Sequence, residues 1–94
     1  MIIHSKVKDN PRVIAIQKIY SKFYNKDEDL TINKHRYKKF IKDIVNGTIE
    51  RNDLILEELK NKLGNDFVFE KLDKILLTIL KAAAYEFMYK PNLS

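Results

Sequence analysis

The sequence contains no cysteine and no tryptophan, and only two glycines and two prolines in 94 residues. Without cysteine there is no disulfide, no thiolate metal site and no thiol nucleophile, a composition suited to a reducing, cytoplasmic compartment. So little glycine and proline leaves few places for tight turns and disfavours the short strands of a sandwich or barrel. Long apolar runs are missing too. The one candidate, "LLTILKAAAYEFMYKP", is interrupted by Lys81, Glu86 and Lys90 and is too short to span a bilayer. The opening "MIIHSKVKDN" has neither a long apolar stretch nor a small-residue cleavage site, so no secretory signal is expected.

What is present describes a small globular chain. Charged residues make up 33% and hydrophobic residues 45%, a profile that is neither disordered nor membranous. Ninety-four residues support a single domain, spanning 1–94, with a small core. The net charge of +5, carried mostly by lysine, makes a positive field that attracts polyanions.

The periodicity predicts an all-α fold. Asn10 is a good N-cap and Pro11 suits the first helical position, where its missing N–H costs nothing. Val13, Ile16, Tyr20, Phe23 and Tyr24 follow within an arc of about 100°, with Lys8, Lys18, Lys22 and Lys26 opposite. After the polar linker "NKDEDLTINK", a second helix is expected from about Asn33 into the 60s. Its apolar course runs through Tyr37, Phe40, Ile41, Ile44, Val45, Thr48, Ile55, Leu56, Leu59 and Leu63. Gly47 inside that helix predicts either a close approach by another helix or a bend. Gly64 is placed to end it with a positive φ. "DFVFEKL" reads as a short helix or turn. Asp73 caps a last helix that Pro91 terminates. Apolar on almost every side, that helix is expected at the centre of a bundle, with Ala82, Ala83 and Ala84 admitting close neighbours.

Catalytic constellations are scarce. There is no glycine-rich phosphate loop, no serine in a tight glycine-flanked turn and no histidine pair at ligand spacing. His4 and His35 read as solvated surface residues. Glu57 and Glu58, being adjacent on a helix, point about 100° apart and do not form a carboxylate pair. Two basic regions remain, "HSKVKDNPRV" and "NKHRYKKFIK", each at a helix start. Cations there oppose the macrodipole, so they gain meaning if phosphates bind them. Tyr20, Tyr24 and Tyr37 lie close by in sequence and are candidates for stacking on unpaired bases, or for packing.

Three blocks resemble the NusB family of bacterial transcription antitermination factors. "PRVIAIQKIYSKFY" is similar to its first helix through Arg12, Ala15, Gln17 and Tyr20. "FIKDIVNGTIERNDLIL" resembles its long helix, with the glycine at Gly47. "LDKILLTILKAAAYEFMYKP" resembles its central helix through Leu80, Lys81, Ala83, Tyr85 and Glu86. The resemblance implies an all-helical, NusB-like bundle and a non-enzymatic factor that needs no cofactor. It would bind the boxA element of nascent ribosomal-operon RNA together with NusE, a ribosomal protein of the small subunit. Lys6, Lys8 and Arg12 would then engage RNA phosphates. Tyr20 would lie where RNA and NusE meet, and Glu70 and Leu76 would face NusE. NusB-like domains also serve as the recognition module of ribosomal RNA methyltransferases, and a helical interaction module without RNA binding is the third reading. Family members continue beyond the central helix with about two more helices. The resemblance therefore implies a bundle incomplete at its C-terminus, whose uncovered apolar stripe would favour self-association.

Overall fold

The computed structural model describes residues 9–25, 34–64 and 68–90. Among them are four α-helices and no strand: α1 (Pro11–Tyr24), α2 (Lys38–Glu50), α3 (Asn52–Leu63) and α4 (Lys74–Tyr89), with one 3-10 turn (Phe69–Lys71) before α4. The expected all-α class holds.

The caps follow from local chemistry. The Asn10 side chain accepts from the Arg12 and Val13 N–H groups, and Pro11 opens α1. Asp73 accepts from Ile75 and Leu76 in the same way at the start of α4. Such caps contribute about 1 kcal/mol each by satisfying donors that have no helical partner. Gly64 ends α3 with φ 89°, a conformation that costs a side-chain-bearing residue far more than glycine.

The long second helix is interrupted. Arg51 sits at φ −104°, ψ 20°, between α2 and α3, and its N–H donates to the carbonyls of Gly47 and Ile49. The β-branched Thr48 and Ile49 support a helix weakly, whereas Asn52 and Asp53 favour a first turn, so two helices replace one. Tyr37 stands at the N-cap of α2 and is half exposed, outside the core it was expected to join. Leu63 is likewise exposed at the far end of the series.

The core gathers Ala15 and Ile19 of α1, Ile41, Ile44 and Val45 of α2, Ile55 of α3, and Ala82 and Tyr85 of α4. The inward line of α1 is thus rotated by roughly a quarter turn from the expected one, since Ile16 and Phe23 flank it while Tyr24 is exposed. Ala15 is small enough to let neighbours close on the backbone.

α4 differs most from expectation. Its inward face holds Thr78, Lys81, Ala82 and Tyr85, and Ile75, Leu76, Ile79 and Phe87 face outward, Phe87 at 82% exposure. The polar atoms turned inward have partners. The Thr78 hydroxyl donates to the Lys74 carbonyl at 2.8 Å, Tyr85 donates to Asp43 at 2.9 Å, and the Lys81 ammonium lies 4.1 Å from the Phe23 ring centroid. Burial lowers the Lys81 pKa from its ordinary value, against the opposing pull of Asp53.

Gly47 resolves as a close approach. A Cβ built there would collide with the Tyr85 ring. Gly47→Ala improves helix propensity by about 1 kcal/mol, while overpacking a fixed ring costs about 1–3 kcal/mol and displaces the Tyr85 hydrogen bond. The variant is expected to lose about 2 kcal/mol in urea denaturation; a gain in stability would contradict the packing described.

Candidate nucleic-acid interface

α1 and α4 run antiparallel, as the contacts at their two ends require. At one end Arg12 pairs with Glu86; at the other the Lys74 ammonium lies 5.0 Å from the Tyr24 ring centroid. The α1 start also meets the start of α2. His35 Nδ1 accepts from the Tyr37 N–H at 2.9 Å, which leaves the proton on Nε2 to donate to the Asp9 carbonyl, also at 2.9 Å. His35 is therefore a half-buried tether and not the solvated residue expected. The outcome is that Arg12, the one cation of the first basic stretch among the described residues, meets the second basic stretch. Arg12 lies beside Phe40, its guanidinium 5.1 Å from the ring centroid, and Lys34, Arg36, Lys38 and Lys39 are exposed along the adjoining segment. Neither α1 nor α2 has an acidic residue in its first turn, so two positive helix ends add to those cations.

Arg12 is held in a fork. Its Nε donates to Glu86 Oε2 at 3.1 Å and its Nη2 to Oε1 at 2.9 Å. The hydrogen bonds to Glu86 raise the Arg12 pKa, burial opposes them, and the Glu86 charge adds to the rise. With its side chain 54% exposed, the pair contributes little to stability, up to about 1 kcal/mol, but it orients the group. A guanidinium has five N–H donors, so three remain for an anion after the fork is made.

The other expected site residues are spread out. Lys6 and Lys8 lie outside the described residues. Tyr20 is half-buried, 4.9 Å from the Tyr24 ring, toward the end of α1 that meets Lys74. Glu70 and Leu76 are exposed just before and within the first turn of α4. The polar end of the molecule thus carries Arg12, and the opposite end carries Tyr20, Glu70 and Leu76. Sequence reasoning gave Glu86 no role beyond a family mark and assigned none to Arg51, which stacks over Tyr89 at 4.8 Å and over Tyr85 at 5.9 Å. The tyrosine spacing of four was the available signal for that stack.

The family model of the NusB family matches residues 9–93. The chain belongs to the NusB family. Its members are generally RNA-binding antitermination factors without catalytic activity, and the blocks that carried the resemblance include both halves of the Arg12–Glu86 fork. Comparison with curated proteins and with solved structures returned no match. Among the described residues no helix is long and apolar enough to cross a membrane.

Tyr85 links this NusB-family core to pH. Burial foremost, then its hydrogen bond to Asp43 and the Asp43 charge, push its pKa up to about 12, with Arg51 opposing and Glu50 adding. A phenol whose pKa is raised on folding contributes stability that is intact below the unfolded value near 10 and is lost as pH rises through the folded value. Wild type is expected to lose about 2–3 kcal/mol more than Tyr85→Phe between about pH 10 and 12. Denaturation curves at stepped pH measure the difference; parallel losses would show that the phenol is not held as described.

Proposed function

We propose that this chain is a non-enzymatic antitermination factor that binds boxA-type single-stranded RNA of ribosomal operons in complex with NusE. The meeting of Arg12, already oriented by Glu86, with the basic stretch that opens α2 carries the reading, and the family membership supports it. RNA phosphates meet the remaining Arg12 donors, with Lys6 and Lys8 extending the contact along the chain that leads into α1. Lysine there acts as a point charge, so this tract contributes attraction and salt dependence more than base selection.

NusE occupies the other end. Tyr20 marks the boundary between RNA and partner, while Glu70 and Leu76 lie on the partner's side. Leu76 is 45% exposed, and an apolar side chain left in water there gains from being covered. The exposed stripe that continues through Ile79 to Phe87 is the surface through which a second copy would associate when NusE is absent.

Fluorescence anisotropy with a boxA oligonucleotide at several salt concentrations, with and without NusE, tests the assignment. Binding should weaken as salt rises, and Lys6→Gln/Lys8→Gln/Arg12→Gln should flatten the log–log slope by about 2, close to 0.7 for each phosphate no longer neutralised. Lys6→Gln/Lys8→Gln alone keeps the Glu86 fork and should flatten it by about 1.4. Leu76→Lys should weaken NusE binding and leave RNA binding by the isolated chain without loss. Salt-insensitive or absent RNA binding would instead favour a helical interaction module.

A further inference from the structure

On the side of the bundle where α2 crosses α4, a cleft of about 550 Å³ opens over Gly47. One wall is a line of exposed α2 residues spaced by four: Lys42, Asn46 and Glu50. The other is aromatic, with the Tyr85 and Tyr89 rings 5.4 Å apart and inclined by 32°. Arg51 closes one end, with its guanidinium layered on Tyr89. Toward the other end, Lys90 pairs with Asp43 at 3.0 Å while the second Asp43 oxygen accepts from Tyr85. The Asp43 charge is thereby answered within the wall.

We propose that this cleft receives one unpaired nucleotide of the bound RNA, its base stacked on the Arg51–Tyr89 layer and its phosphate directed to Lys42. The inference rests on the RNA-binding reading and adds to it a base-holding site apart from the Arg12 surface. Three features favour a nucleotide over a bare anion. A guanidinium plane or an aromatic ring stacks on a base of any identity, and here the two are already layered on each other. Glu50 sits at the Arg51 end, where it repels a phosphate but accepts from base N–H groups, guanine's paired N–H donors best. Lys42 and Glu50 are eight residues apart on one helix face, about 12 Å along the axis, which separates a cationic end for the phosphate from an acceptor end for the base.

The test uses NMR and anisotropy on the same full chain. Titration with guanosine monophosphate is expected to shift the Tyr89 ring and Arg51 side-chain signals saturably, and more strongly than uridine monophosphate. Arg51→Lys keeps the charge but removes the stacking plane, and Tyr89→Leu keeps apolar volume but removes the ring. Each should weaken RNA binding about tenfold while leaving the salt slope unchanged. Lys42→Gln should instead reduce that slope by about 0.7. RNA affinities equal to wild type in both stacking variants would overturn the inference and leave the Arg12 surface standing. If wild type binds no RNA, the antitermination reading fails on its own. The monophosphate titration then decides the cleft: saturable shifts at Tyr89 support a nucleotide site, and their absence overturns it.

Discussion

A phenol ring pressed against a stretch of helix with no side chain sets the distance between α2 and α4. Gly47 leaves the backbone bare, Tyr85 fills the space, and its hydroxyl reaches Asp43 on the same helix as the glycine. Volume and hydrogen bonding are satisfied by one residue, so the helices have a single way to meet. The buried aliphatic side chains of α1 and α2 close around that contact. So does the cleft, whose floor is the bare backbone and whose wall is the same tyrosine.

Charge is arranged around this core in two ways. Lys81 is turned inward with its ammonium over the Phe23 ring, so its contribution is to packing more than to any surface field. Arg12 does the opposite. It remains half in water and is aimed by a carboxylate, which costs little desolvation and leaves donors to spare. A cation held by one anion while facing another suits a polyanion surface. It is already ordered, so binding forfeits less side-chain entropy.

The parts of the fold written into neighbouring residues were legible in the sequence. Asn10 with Pro11, Asp73 and Gly64 act through atoms within three or four positions, and each stands where its chemistry placed it. The facing of α1 was harder to read, because Tyr20 and Tyr24 are amphipathic and count as apolar in a periodicity while preferring a rim. The break at Arg51 depended on a contact with Tyr85 and Tyr89 more than thirty positions away, as well as on local propensity. The interface was legible by halves. Its two basic stretches were visible, but the approach of Arg12 to the second depends on a His35 hydrogen bond to the Asp9 backbone, which leaves no periodic trace. The cleft needed both walls, one from each of two helices, and neither wall alone differs from an ordinary solvated face.

The Arg12–Glu86 fork joins residues 74 positions apart. During synthesis at about 5–20 residues per second, roughly 4–15 s separate the appearance of the two partners. α1 and α2 can pair within that interval, but the wall that completes their core arrives last of the four helices, on α4. A nascent chain therefore leaves Ala15, Ile19 and Ile44 on the paired α1 and α2 without their covering wall until α4 has been made and is free to pack. Closure comes as one late event, and Arg12 is aimed only once it has happened.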